Sequence, residues 1–519
     1  MANKYLVGVD FGTTGSRTTI YDLQGNELGT AYAENPITYP EVGSYEYEGQ
    51  ACFDTLHDTT ARAIKNSKIN PKEIAAVSFS AIRGCFGMYD KDDNFVHPMI
   101  LWPDSRAMVK ASWMEERLDA VGMSKDRLYD LTAFPFSPGW PSTRIVWFKE
   151  NYPEKWEKVV KIGSLQTVVQ KAYSGSSSVD DSEDVGWFQQ FNARTQEPIP
   201  EMEEAWGIPA ELFADFVPTG TVVGHVSREV ADKTGLPEGT PLVCGVGDQE
   251  CTIIGTGCIE PGTVSICVGT CGVIVVRSHD LTLDPSKCLN ICGAPGGEWQ
   301  MEGTTTAAGQ GYRWFRDALC APEIEIAKNE EMDVYDHLNE QAAKVPAGCN
   351  GLMFLPYLCG AETPKFNRYA RGAFIGMNLQ HRKGDFVRAV MEGSTYELKS
   401  VMEVFKNAGL PLGTYRFSGG GSRSALWNQI VADVFNVPIS NVGTSESTCL
   451  GAAMIAAVGV GLYKDYKEAA ASMVRITKSW EPQKKNVAIY QEGYEMMQDC
   501  YKTLTDSGMF RRIFDFEHK

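Results

Sequence analysis

The segment Gly245-Val246-Gly247-Asp248-Gln249 presents a carboxylate in a glycine-lined turn directly after the apolar run Pro241-Leu242-Val243-Cys244. A strand that delivers an acid to a turn is a common way of presenting a general base. Asp248 is therefore read as the group that takes a proton from a substrate hydroxyl. Two Gly/Thr turns flank it in the chain: Asp10-Phe11-Gly12-Thr13-Thr14-Gly15-Ser16 near the N-terminus, and Val268-Gly269-Thr270-Cys271-Gly272 shortly after Asp248. Their glycines let the backbone approach a ligand closely. Their exposed N–H groups and hydroxyls suit phosphate oxygens. The two turns are expected to hold the phosphates of a nucleotide, although each taken alone also reads as an ordinary hairpin connection. Asp10 repels phosphate, and a magnesium ion with its waters between them would resolve the conflict.

Two further segments carry side chains for an acceptor, and a third is a glycine turn suited to a nucleotide. Arg83, in Ser80-Ala81-Ile82-Arg83-Gly84, follows a strand at the end where ligands commonly bind in α/β sheets. It can fork onto substrate hydroxyls or stand as a surface arginine. Trp102 and Asp104, after Met99-Ile100-Leu101, combine a flat apolar face with a hydroxyl acceptor, a pairing that suits a sugar. Their alternative is a core ring and a turn aspartate. Gly419-Gly420-Gly421-Ser422 links the strand Tyr415–Ser418 to a helix over Ala425–Phe435. Such a turn admits a base or phosphate beside a helix N-terminus, and is also a common tight turn.

The elements that must position these groups follow from periodicity. Tyr5–Val9 and Arg17–Tyr21 predict a hairpin around the first turn. Thr263–Cys267 and Val273–Arg277 repeat that pattern around the second, which implies two related domains facing one another across a cleft. Helices are predicted over Ala51–Lys65, Thr143–Lys149, His225–Thr234, Asp385–Phe405 and Thr448–Gly459, with Glu201–Phe216 helical but interrupted. Tyr173–Asp184, rich in Ser and Asp, reads as loop. Domain limits are placed at 1–247 and 248–480, with a charged helical extension over 481–519.

Bulk properties narrow the classes. A chain of 519 residues exceeds a single core. Hydrophobic and charged fractions of 43% and 22% are those of an ordinary globular protein. The net charge of −18 argues against nucleic-acid or anionic-membrane partners. No apolar run reaches the roughly 18 residues of a membrane span, and Met1-Ala2-Asn3-Lys4 leads directly into a strand without a secretion signal, so a cytoplasmic location is expected. The 14 cysteines are expected as buried thiols, and the 7 histidines form no cluster at ligand spacing.

Taken together, Gly372-Ala373-Phe374-Ile375-Gly376-Met377 and Asp385-Phe386-Val387-Arg388-Ala389-Val390-Met391-Glu392 resemble the C-terminal signature of the FGGY carbohydrate kinases. The Asp10–Arg17 turn, the Asp248 segment and the 419–422 turn fall in that family's order. The resemblance is strongest to xylulokinases, through Leu355-Pro356-Tyr357-Leu358 with Glu362-Thr363-Pro364, Ile100-Leu101-Trp102 with Asp104 and Arg106, and Pro138-Gly139-Trp140 ahead of Trp147. It implies two actin-like, RNase H-type α/β domains and transfer of the ATP γ-phosphate to a hydroxyl of a sugar or polyol such as D-xylulose. By position it implies Asp248 as general base and Asp10 as the carboxylate near magnesium. Thr13, Thr14 and Arg17 would form the first phosphate loop, Gly269 and Thr270 the second, and Gly309, Gly420 and Gly421 the adenosine side. Arg83, Trp102, Asp104 and Gln249 would contact the acceptor, and a homodimer is the usual assembly.

Some positions depart from xylulokinases. Ile82-Arg83 stands where they usually have Met-His, and Asp248-Gln249 where they tend to have Asp-Asn; both look more like glycerol kinases. Autoinducer-2 kinases share the arginine and a run similar to Trp314–Asp317, and Arg144 replaces a more usual lysine. Autoinducer-2, glycerol, erythritol or another ketose are therefore alternative acceptors. An actin-like ATPase or a sugar-binding regulator are the non-enzyme readings of the same fold.

Overall fold

The computed structural model describes residues 4–444 and 446–519; Met1-Ala2-Asn3, part of the N-terminal reading above, lie outside them. Two sheets organise the molecule. The first has six strands, in the order Val222–His225, Pro241–Gly247, Ile74–Ala81, Tyr5–Phe11, Gly15–Asp22 and Glu27–Glu34. The second has seven, in the order Asn290–Ala294, Glu298–Thr305, Gly272–Ser278, Val264–Val268, Tyr415–Ser418, Ile439–Val442 and Ile476–Trp480. Within each lies one five-strand pattern. An antiparallel meander of three strands is extended, from its first strand, by two parallel ones. The repeat suggested by the two Gly/Thr hairpins is thus a repeat of whole sheets.

The strands Tyr5–Phe11 and Ile74–Ala81 are apolar almost without interruption and almost wholly buried. This is what parallel strands covered on both faces require. One face of the first sheet carries the helix Gly49–Ser67 and a helix at Leu165–Ser174 that the sequence did not suggest. The other face carries Ser447–Gly459, a helix from the far end of the chain whose Leu450, Ala453, Ile455 and Ala457 join Leu6, Ala76 and Val246 in one core. The sequence division at 247/248 therefore separates the first sheet from a helix that covers it.

Several local expectations change. The stretch read as loop after Tyr173 contains the strand Val179–Asp181 and a buried acidic run. The helix predicted from His225 begins at Arg228, because Ser227 caps it by accepting from Val230 N, while His225 ends a strand. Glu201–Phe216 keeps one short helix, Pro200–Trp206, and ends in the strand Asp215–Val217. The C-terminal extension forms the helices Lys484–Asp506 and Met509–Glu517, tied to the long helix Lys383–Asn407 by Arg388 donating to the Tyr490 hydroxyl at 2.6 Å. Among the described residues no helix is long and apolar enough to cross a membrane.

Candidate active site

Three parallel strands of the first sheet end side by side, and each delivers one charged group. Register pairs Asp10 with Ser80 and Val246 with Ser80, so Asp10, Arg83 and Asp248 emerge from the same edge. Asp248 is the first residue of the helix Asp248–Gly255, and its side chain stays about one-third exposed. Its Oδ1 accepts from Arg83 Nε at 3.2 Å and from the Gln249 amide at 3.0 Å.

Asp10 Oδ1 is buried without a hydrogen-bond partner. Burial, with the charge of nearby Asp248 added to it, pushes its carboxyl up to about 7. A buried acid oxygen without a donor is stabilised by a cation, so the site fits the magnesium ion that the sequence called for. Folding takes up a proton at Asp10 between roughly pH 4, where an unfolded aspartate titrates, and about pH 7. Stability from this group is complete at low pH and is lost as pH rises through that window. Asp10→Asn is expected to remove that loss and raise the melting temperature at pH 8 in protein free of nucleotide and metal. Identical pH dependence of melting in the variant and the wild type would clear Asp10 as its source.

The first turn is braced from beneath. Asn35 Nδ2 donates to the Gly12 carbonyl at 2.7 Å, and the Tyr47 hydroxyl donates to the Thr13 carbonyl. Thr14 is exposed. Arg17 pairs with Glu446 at 2.9 Å, a contact between the first hairpin and the segment leading into Ser447–Gly459. Trp102 is half exposed, and its indole N–H donates to Thr13 Oγ1 at 3.0 Å, so the candidate sugar platform adjoins the phosphate turn.

The second turn exposes Gly269 and Thr270. Against it ends the helix Gly309–Leu319, with Gln310 N donating to Thr270 O at 2.9 Å. A Cβ on Gly309 would lie 1.9 Å from the Gly269 carbonyl, so only glycine allows this contact. A helix N-terminus beside a Gly/Thr turn favours anions. Beyond it opens a cavity of about 520 Å³ lined by Gly419, Gly420, Asn441, Gly443, Ser447 and Trp480. That volume lies within the range of small-molecule sites, about 300–1,000 Å³. Gly421 turns away from it and packs on Val268.

Two acceptor candidates are placed differently from the sequence reading. Asp104 is 2% exposed, and both of its oxygens are taken by Arg106, at 2.6 Å to Nη2, with the Tyr45 amide adding a bond at 3.1 Å. It anchors a buried ion network with Glu46 and His97 instead of facing a sugar. Arg83 is not free to fork onto hydroxyls. Its Nη1 meets Glu250 at 2.9 Å, its Nη2 meets Glu302 at 2.6 Å, its Nε meets Asp248, and its guanidinium lies 4.9 Å from the Trp187 ring centre. Burial opposes the Arg83 charge, but Glu250, Glu302 and Asp248 outweigh it and hold the guanidinium protonated. Gln249 is half-buried beside Asp248.

Glu250, Glu302, Asp184 and Trp187 were missed from sequence. Glu250 stands two residues after Asp248 and could have been noticed; Asp184 was hidden in a run that reads as a loop. Burial pushes the Asp184 carboxyl up to about 7 against the pull of Arg83. Arg144, buried, donates to the Leu101, Gly84 and Gly139 carbonyls and so clamps the loops carrying Trp102 and Arg83 to one another.

Residues 5–255 match the N-terminal domain, and residues 264–460 the C-terminal domain, of the FGGY family of carbohydrate kinases. A xylulose kinase of Bacillus subtilis (strain 168) is 27% identical over 504 residues, 97% of this chain and 98% of that protein. An autoinducer-2 kinase of Yersinia enterocolitica is 29% identical over 525 residues, 97% of this chain and 96% of that one. Among solved structures, a ligand-bound xylulose kinase from Lactobacillus acidophilus matches with a TM-score of 0.86 at 25% identity, covering 97% of this chain and 98% of its own.

Proposed function

The chain belongs to the FGGY family of carbohydrate kinases, and from that premise we propose that it transfers the γ-phosphoryl group of ATP to a hydroxyl of a neutral ketose or polyol, with D-xylulose to D-xylulose 5-phosphate as the reaction that fits best. The observation that carries this reading is the emergence of Asp10 and Asp248 from one sheet edge, with a second Gly/Thr turn and a 520 Å³ cavity to receive the nucleotide. Asp248 takes the proton of the acceptor hydroxyl as its oxygen bonds to the γ-phosphorus and ADP departs. Such a reaction depends on positioning and charge neutralisation more than on covalent chemistry. Thr13, Thr14 and Arg17 hold phosphate from one side, and Gly269 and Thr270 from the other. Gly309 and Gly420 shape the adenosine side, while Gly421 packs on Val268 beneath it. Asp10 would hold a magnesium ion, which would supply charge neutralisation at the phosphates. Trp102, Gln249 and the Arg83 nest face the acceptor, while Asp104 supports the Trp102 loop from below.

Charge also bears on the acceptor. The Arg83 guanidinium is already matched by three carboxylates, which leaves it no net charge to offer an acidic sugar. This supports a neutral acceptor over an aldonate. The autoinducer-2 kinase at 29% identity keeps autoinducer-2 as the acceptor of the second reading. The test is ADP release against D-xylulose, D-ribulose, xylitol, glycerol, gluconate and the autoinducer precursor. Strong stimulation by a ketopentose over a low ATP-only background is expected. Stimulation by gluconate alone would sink the neutral-acceptor reading.

A further inference from the structure

The buried acids around Arg83 come from both halves of the molecule. Glu250 lies on the helix that starts at Asp248, whereas Gln300 and Glu302 lie on Glu298–Thr305 in the second sheet. The two-residue period of a strand puts Gln300 and Glu302 on one face, and that face is turned to the first domain. Glu302 takes Arg83 Nη2 at 2.6 Å, and Gln300 Nε2 donates to the same Glu250 oxygen that receives Arg83 Nη1. The remaining nitrogen, Nε, points to Asp248 Oδ1. A planar guanidinium with fixed donor directions transmits orientation in a way a lysine ammonium does not. Held at two corners by Glu250 and Glu302, Arg83 has little freedom in where it directs the third.

We infer that Glu302 is a positioning residue for Asp248: it reaches across the domain boundary and, through Arg83, fixes the carboxylate that accepts the hydroxyl proton. Glu302 touches neither acceptor nor phosphate in this scheme; it acts only through Arg83 on Asp248. Assembly of the base geometry then depends on the two sheets being in register with one another, so the base is fully aligned only when the second domain is in place. This inference rests on Asp248 being the base.

A double-mutant cycle separates the two ideas. Glu302→Gln keeps shape and a hydrogen-bond acceptor but removes the charge that grips Arg83. It is expected to lower kcat by about tenfold to a hundredfold, the order that loss of alignment costs, with the ATP dissociation constant unchanged by calorimetry. Glu302→Asp should recover part of that loss. In an Asp248→Asn background, measured by single turnover, Glu302→Gln should cost nothing further, since its target is gone. An equal cost in both backgrounds would make Glu302 merely structural and overturn the inference. A fall in kcat matched by loss of ATP affinity would also overturn it. Should Asp248→Asn alone keep its turnover, the base assignment fails instead, and the two failures are distinguishable. Melting curves for each variant show whether a loss reflects unfolding.

Discussion

Asp248→Asn is expected to fold as the wild type does and to lose at least about 100-fold in kcat, the lower bound for removing a general base. The substitution keeps the size of the side chain and an oxygen that can accept from Arg83 Nε, now at 3.2 Å. Arg83 retains Glu250 and Glu302, so the buried guanidinium is not orphaned. What disappears is the lone pair able to hold the acceptor's proton. The proposed phosphate contacts lie elsewhere, in the two Gly/Thr turns, so the ATP dissociation constant should change little. One further readout follows from geometry: the Asp248 charge is among the causes that push the Asp10 carboxyl up. In the variant that pressure is relieved, and the pH window in which stability falls should move downward. Turnover near the wild-type value would remove Asp248 from the mechanism.

The second large effect is expected at a residue with no chemistry of its own. The helix that begins at Asp248 crosses Ser447–Gly459 with backbones in contact. A Cβ on Gly451 would lie 1.8 Å from the Cys251 carbonyl, and one on Gly255 would lie 1.8 Å from the Ser447 carbonyl. Gly8, beneath, stands in the same relation to Cys449, at 2.0 Å. Even Gly451→Ala must push these elements apart. Overpacking of this kind costs about 1–3 kcal/mol, and here the obstacle is backbone, which cannot swing aside. Because Asp248 is the first residue of the displaced helix, kcat should fall together with the melting temperature, by about a hundredfold if the base moves by an ångström. Thermal melting and steady-state kinetics on Gly451→Ala decide the matter. A variant that melts and turns over like the wild type would show that the crossing is looser than described.

The Gly/Thr hairpins, the Asp248 turn and the small-residue helix at 447–459 could all be read in advance, because each is local. Alternating apolar residues set the strands, glycines set the turns, and a carboxylate just after a strand end is visible as such. Arg83 and Asp104 show where local reading stops. Both stand in suitable loops with suitable chemistry, yet Asp104 is consumed by Arg106, two residues on, and Arg83 by acids 165, 167 and 219 residues away. A run such as Ser182-Glu183-Asp184 looks solvated until folding buries Ser182 and Asp184 and sets Glu183 to accept from Thr219.

By itself the amino-acid sequence determined the parts from which the proposed chemistry is built: an acid after a strand end, a second acid in a Gly/Thr turn, a second such turn, and a repeated hairpin to carry them. Only the tertiary structure decided which charges remain free to act. A buried charge must find a partner, and its partner is whichever side chain the packing brings within reach, however distant in the chain. The same holds for Ser447–Gly459, which covers the first sheet from the far end of the chain because its small residues, and Gly451 above all, let its backbone lie against the helix that begins at Asp248.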